Sequence, residues 1–368
     1  MVEWKKLGEV CKVLRGKRLT KSQLNESEGY PVLHGGSTPM GYYEEFNRKA
    51  NTTVVVNTGN AGCVFFYDKE FWSSDACFSL YPNKEIIDKF LYLYVYGCER
   101  ILKGKIRAGA MPTIDAKAVE DLLIPIPSLS EQQRIVSILD TFTSSISNLK
   151  QQIEERRKQY EYERDLLLDL EGKEGVEMKK LGEVVSSDCS LSYGIVQPGD
   201  DVIDGVPVVR PVDLISNYVK LDGLKRTERQ ISESYKRTIL KGNEILFCVR
   251  GTTGIMGLAT NELKGCNVTR GIVPISFDDE LTKMFVYYQL KGFRLQKVID
   301  EKTNGTALKQ INIKDLRLLN LFFPPLSTQS RIVSILDTFE QSIANLEEQL
   351  AMREKQYEYY RNQLLTFE

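Results

Sequence analysis

A long polar stretch in the middle of the chain returns almost unchanged at its end, and this limits the folds open to the sequence. Residues 130–142 read SEQQRIVSILDTF and residues 327–339 read STQSRIVSILDTF, a constant 197 positions apart. From the Gln132/Gln329 pair to the Leu170/Phe367 pair, 24 of 39 positions are identical. The sequence between the copies is far less alike. Two copies of one helix, separated by different globular sequence, imply two docking elements presenting two modules. Such a plan suits a two-headed reader better than an enzyme.

The repeat extends past these stretches. WKKLGEV at 4–10 returns as MKKLGEV at 178–184, offset 174; YPVLH at 30–34 matches VPVVR at 206–210, offset 176. TGNAG at 58–62 matches RGTTG at 250–254, offset 192. The second module is therefore 23 residues longer inside. One surface is held constant in both halves and another is free to differ.

The repeated stretch reads as a helix. Pro125 and Pro127 break the preceding element, and Ser130 with Gln133 three residues later makes a capping-box pattern. The second copy has Pro324, Pro325 and Ser327, but Ser330 replaces the Gln, so its cap is expected to be weaker. Apolar residues follow at alternating steps of three and four: Leu139, Phe142, Ile146, Leu149, Ile153, then Tyr160 and Leu167. The second copy gives Leu336, Phe339, Ile343, Leu346, Leu350, Tyr357, Leu364 and Phe367. This is a narrow seam with polar flanks, as in a coiled coil. Arg156 and Arg353 interrupt it at the same position, which would fix register against wrong pairings. Each copy spans about 60 Å if helical throughout. The two pair most economically with each other, antiparallel, with a pseudo-twofold relating the halves; the alternative is pairing with another chain.

Composition bounds the class. At 368 residues the chain holds about two domains of ordinary soluble composition. No run approaches the length of a membrane span, and the start MVEWKK has no apolar leader, so a cytoplasmic protein is expected. The seven cysteines form no CxxC pair and read as reduced, mostly core, thiols. The net charge of −1 divides unevenly: +2 over 1–128, −4 over 129–177, +4 over 178–326 and −3 over 327–368. Both globular pieces are mildly basic and both helical pieces acidic. That excludes a polycation held to DNA by charge alone, yet allows local patches to meet phosphates; ordinary charge scatter is the alternative. Short β-like runs at 53–57, 64–67 and 244–249 and amphipathic segments at 86–102 and 281–299 give mixed structure. They lack regular βαβ alternation, which argues against a doubly wound nucleotide fold. Residues 171–175 form a short polar linker.

Several chemistries lack their residues. The single histidine, His34, rules out a multi-histidine metal site and most hydrolytic triads. No GxxxxGK[ST] loop occurs, since Cys11 stands where Gly16-Lys17 would need an upstream glycine. Phe323 before Pro324-Pro325 removes the Asn-Pro-Pro-aromatic motif of adenine methyltransferases. What remains are turns carrying side chains that read bases, because Arg suits guanine and Asn or Gln suits adenine in the major groove. Asn57, Thr58 and Asn60 lie on one such turn, and Arg250, Thr252 and Thr253 on its counterpart. His34, Ser37 and Thr38 match the loop holding Arg210 and Asp213. Lys103, Lys105 and Arg107, and Lys302 and Lys309, precede the helices as candidates for phosphate contacts. For each, a plain solvated turn is the competing reading.

The pattern P-x-[LP]-x-x-Q-x-R-I-V-x-x-L, met at Pro127–Leu139 and again from Pro325 to Leu336 with Gln329 three residues into the helix, resembles the specificity subunits of type I restriction–modification systems. The opening Lys6–Val10 and its repeat fit as well, so the resemblance covers essentially the whole chain. It implies an α+β fold: target-recognition domains at 1–128 and 178–326, each followed by a conserved helix at 129–177 and 327–368. The helices would pair as an antiparallel coiled coil. It further implies a non-catalytic subunit whose two domains read the halves of a bipartite DNA target. Its helices would set the spacing and dock two adenine methyltransferase subunits, with a motor–nuclease subunit joining to restrict. S-adenosylmethionine, ATP and Mg would belong to those partners. Because the modules differ, the target is expected to be asymmetric. A duplicated nuclease, or a coiled-coil adaptor without sequence readout, are the rivals from other classes.

Overall fold

The computed structural model describes residues 2–35, 38–107, 109–303 and 309–367. The chain forms two compact units, one from residues 1–150 with 348–368 and one from residues 151–347. Each unit thus contains one module and one end of each long helix.

In the first unit, an antiparallel sheet takes the order Cys11–Arg15, Cys77–Pro82, Thr52–Val56, Val64–Tyr67. Thr52–Val56 is buried throughout, and the helix Asp88–Gly97 covers the sheet with Phe90, Leu91 and Leu93. A second sheet sets Tyr30–Leu33 between Tyr42–Tyr43 and, in parallel, Trp72–Ser73. The amphipathic segment read at 86–102 is two helices, broken at Cys98 before Glu99–Lys103. Glu3–Lys6 pairs with Leu123–Ile126, and Leu7 N–H donates to Leu122 O at 2.7 Å. This delivers the chain to the first long helix, Leu129–Leu167. Ile135, Val136 and Leu139 of that helix enter the core, joined by Tyr357, Leu364 and Phe367 from the chain's end.

The second unit repeats the plan. Ile245–Cys248 lies between Met256–Leu258 and Ile272–Ile275, and Val206–Val209 between Lys225–Thr227 and, in parallel, Asn267–Val268. Glu177–Lys180 pairs with Asn320–Phe323, and Leu181 N–H donates to Leu319 O at 2.9 Å, ahead of the second long helix, Leu326–Leu364. The segment at 281–299 is again two helices, Glu280–Lys291 and Phe293–Lys302, separated by Gly292. Sixteen of the 23 extra residues fall where the repeat offset rises from 176 to 192. Within this stretch Lys225–Thr227 is the counterpart of Tyr42–Tyr43, and the residues after it form the short helix Arg229–Ser234. Buried Asn267 ties it down: its Nδ2 donates to Ser232 Oγ at 3.0 Å and its Oδ1 accepts from Thr238 Oγ1 at 2.7 Å. Tethering at a buried polar residue gives the inserted backbone partners away from water.

The helix starts differ from the capping-box expectation. Helix geometry begins at Leu129, so Ser130 lies inside the first turn and Ser128 Oγ accepts from Glu131 N–H at 3.3 Å. Gln133 donates instead to Ser137 Oγ. At the second start, Ser327 is likewise helical, and Thr328 N–H meets Pro325 O at 2.8 Å. The decisive side chain at each start is a buried glutamine one position earlier in the motif. Gln132 Nε2 donates to Pro127 O at 2.9 Å, and Gln329 Nε2 to Pro324 O at 2.8 Å. Each amide binds the proline that links the preceding strand to its own helix.

The seam is legible inside each unit. In the first, Phe142 stacks on Tyr360 with ring centroids 5.2 Å apart, and Lys150 pairs with Glu354 at 2.9 Å, so the helix segments run antiparallel. In the second, Tyr160 lies 6.2 Å from Phe339 and its hydroxyl donates to Glu340 at 2.9 Å. Burial, reinforced by that carboxylate, raises the Tyr160 hydroxyl pKa far above its usual range. Leu139, Ile153 and Leu336 are buried, while Ile146, Leu149, Ile343, Leu346 and Leu350 are half-buried. The two interrupting arginines do one job in two places. Arg353 lies over the Phe142 ring at 5.5 Å and Arg156 over Phe339 at 5.8 Å. Each also donates to a glutamine one turn on, Gln356 and Gln159, both at 3.1 Å. A cation over an aromatic face keeps a charge in the seam without leaving it unpartnered.

Candidate nucleic-acid interface

In the first unit three loops are laced together by backbone hydrogen bonds. Asn60 N–H donates to Gly35 O at 3.2 Å, Gly59 N–H to Pro112 O at 3.3 Å, and Ile114 N–H to Asn57 O at 2.9 Å. Gly35, Gly59 and Gly62 have positive φ, which a tight turn of this kind needs. The second unit builds the same frame from different residues: Gly251 N–H to Lys309 O at 2.9 Å, Ile311 N–H to Val249 O at 3.0 Å, and Gly254 N–H to Cys248 O at 2.9 Å. These match Gly59 to Pro112, Ile114 to Asn57 and Gly62 N–H to Val56 O (2.8 Å) at the repeat offsets, so the alignment of TGNAG with RGTTG is structural; among the described residues the link from Asn60 to Gly35 belongs to the first unit alone. On this frame Thr58 corresponds to Arg250 and Asn60 to Thr252.

The frame sorts the sequence candidates. His34 is exposed at the loop edge, its Nδ1 bonded to buried Ser74 Oγ at 2.9 Å. Thr38, Asn60, Lys105 and Arg107 are exposed, and Thr58 is half-buried. Ser37 lies outside the described residues. Asn57 is turned inward: its Nδ2 donates to Asp75 O at 3.0 Å and its Oδ1 accepts from Thr58 Oγ1 at 2.6 Å, so it shapes the turn. The Lys103 ammonium is held by Glu99 at 2.6 Å, which raises its pKa, and Arg107 pairs with Asp115. In the second unit Thr252 and Lys309 are exposed and Arg250 half-buried. Thr253 locks the turn by donating to Lys309 O at 3.1 Å. Arg210 and Asp213 form a two-pronged pair, Nε to Oδ2 at 3.0 Å and a terminal nitrogen to Oδ1 at 2.8 Å, so the guanidinium is aimed by its own loop. Lys302 ends the helix Phe293–Lys302.

Residues behind the frame escaped sequence reading. Gly16 and Gly194 sit where a strand backbone passes almost in contact. A Cβ on Gly16 would fall 2.1 Å from Ser74 O, and one on Gly194 2.1 Å from Val268 O. Beyond them, Lys17 N–H donates to Ser73 O at 2.9 Å and Ile195 N–H to Val268 O at 2.8 Å, fixing the strand ends that carry Ser74 and Thr269. The two glycines share no motif beyond themselves, so no local signal marked them.

Among the described residues no cluster of three or more His, Cys, Asp or Glu side chains suits a metal ion. The cysteines of the described chain are free, and burial pushes the Cys11 thiol up to about 12. No helix among the described residues is long and apolar enough to cross a membrane.

Comparison with known proteins gives the family. The family model for the type I restriction modification DNA specificity domain matches residues 1–156 and 173–352. The chain belongs to this family. It is accordingly a non-catalytic specificity subunit of the type I restriction–modification class. The EcoBI type I restriction enzyme specificity subunit of Escherichia coli is 24% identical over 71% of this chain and 60% of its own length. A putative type I restriction enzyme specificity subunit of Haemophilus influenzae is 27% identical over 100% of this chain and 96% of its own. The crystal structure of a type I restriction–modification system S subunit from M. genitalium superposes with a TM-score of 0.67 at 16% identity. That match covers 100% of this chain and 97% of that one, and it supports the α+β fold with two long helices.

Proposed function

We propose that the two modules read different halves of one asymmetric, bipartite DNA target. The observation that carries this is the pair of turns: the backbone hydrogen bonds that hold Gly59 and Gly62 are matched at Gly251 and Gly254, and the side chains the turns present are not. Thr58 and Asn60 stand in the first unit where Arg250 and Thr252 stand in the second. A constant frame bearing different donors and acceptors is what two different base sequences require. His34, Thr38 and Arg210 border these turns, while Lys105, Arg107 and Lys309 supply cations for phosphates.

The long helices set the number of unread base pairs and receive the partners. Exposed apolar residues recur at matched positions: Trp4 and Met178, Leu129 and Leu326, Tyr162 and Tyr359. Their duplication suits two copies of one partner, an adenine methyltransferase subunit, with a motor–nuclease subunit completing a restricting complex. S-adenosylmethionine, ATP and Mg belong to those partners, and the assembly works in the cytoplasm.

Sequencing the methylome of a host that expresses this chain with its methyltransferase subunit tests the reading. One asymmetric two-part motif is expected, and methylation without sequence preference would overturn it. Arg250→Ala should relax a position in one half-site only, at a cost of about 1–3 kcal/mol of discrimination. Inserting seven residues into each long helix should change the gap and leave both half-sites intact.

A further inference from the structure

The duplicated seam poses a pairing problem that the structure answers with charge. Phe142 and Phe339, Arg156 and Arg353, and Tyr160 and Tyr357 are the same residues at matched positions. The cation–aromatic contacts would therefore form equally well between two copies of the first helix or two copies of the second, whereas Tyr360, which stacks on Phe142, aligns with Glu163, and Glu340, which accepts from Tyr160, aligns with Thr143. The shared arginines and phenylalanines do not by themselves favour first with second.

The flanks break this degeneracy. Lys150 meets Glu354 in the first unit, and Arg157 meets Glu347 at 2.5 Å in the second. These two pairs occupy equivalent places at the 197-residue offset, since Lys150 aligns with Glu347 and Arg157 with Glu354. Their polarity is exchanged: the first helix supplies both cations and the second both anions. If the first helix crossed a copy of itself in this register, Lys150 would face Arg157 at both contacts. A second helix crossing its own copy would set Glu347 against Glu354 twice. We infer that Lys150, Arg157, Glu347 and Glu354 form a pairing code that makes the two helices complementary to each other and incompatible with their own copies, so that chains do not join through like helices.

Each pair is half-exposed, so it stabilises weakly, and its value lies in the contrast between attraction and repulsion. This rests on the observed helix contacts and is independent of DNA reading.

Two sets of full-length variants test it. Lys150→Glu/Arg157→Glu makes all four positions acidic and should lower Tm by about 2–4 °C at low salt, less at high salt. Adding Glu347→Lys/Glu354→Arg should restore it, and failure to recover would overturn the code. The decisive variant is Arg157→Glu/Glu347→Lys, which keeps both pairs within the chain attractive but makes each helix compatible with its own copy. After refolding from denaturant at high concentration, light scattering should show a severalfold larger fraction of associated chains than wild type, at unchanged Tm. An equal fraction in the two proteins would overturn the inference.

Discussion

Leu139→Ala will unfold the first unit early and leave the second almost untouched, and Leu336→Ala will do the reverse. The two leucines are matched residues of the repeated helix, and both are 0% exposed. Leu139 packs into the core with Leu7, Phe90 and Leu122, whereas Leu336 packs with Tyr288, Leu321 and Ile332. Truncating a buried leucine removes its transfer free energy and leaves a cavity, costing about 2–5 kcal/mol. For a domain whose total stability is roughly 5–15 kcal/mol this is a large fraction. Scanning calorimetry should show the affected transition falling by roughly 5–15 °C while the other stays in place. If both substitutions depressed one common transition equally, the division of each helix between two cores would be wrong.

Gly194→Ala will also be damaging, and Gly16→Ala will match it in the other unit. The added methyl of Gly194 would also lie 2.7 Å from Thr269 O, and that of Gly16 2.2 Å from Ser73 O. Carbonyl oxygens in paired strands cannot swing aside as a side-chain tip can, so the strands must separate. Forcing atoms into such a packed site costs about 1–3 kcal/mol and more when backbone must move. The damage is directed: Gly16 lies behind Ser74, which positions His34, and Gly194 lies behind Thr269. Each substitution should therefore weaken reading of one half-site and lower the stability of one unit. Gly97→Ala is the control, since nothing lies within 4 Å of its Cβ position and its φ is not positive. Urea denaturation that ranked Gly16→Ala with Gly97→Ala would refute the steric argument.

The exchange of residues 1–128 for another module follows from the same packing. It should change one half-site, provided the incoming module offers apolar partners to Ile135, Val136 and Leu139. Where it does not, loss of fold rather than changed specificity is the expected result, readable as a lowered Tm.

Periodicity carried the helices because a coiled-coil seam is a local signal. Leu139, Phe142, Ile146 and their counterparts repeat within one stretch and need no knowledge of the partner. The duplication also revealed that Arg156 and Arg353 are equivalent. That each guanidinium lies over a phenylalanine about two hundred residues away required the two helices to be placed together. The capping expectation failed for a related reason. Ser130 and Gln133 satisfy the local rule, but Gln132 reaches Pro127 O and also Glu85 O, and burial of that contact sets where the helix begins.

The sequence by itself determined that this protein has two halves, each with a constant helix and a divergent module. Repetition and the three-four apolar step are properties of neighbouring residues. Only the tertiary structure decided which turn residues face outward. Asn57 and Asn60 are alike in sequence, yet one amide is consumed inside the turn and the other is presented to solvent. Those fates depend on Gly35, Asp75 and Pro112, residues brought close by strand pairing and invisible to any local pattern.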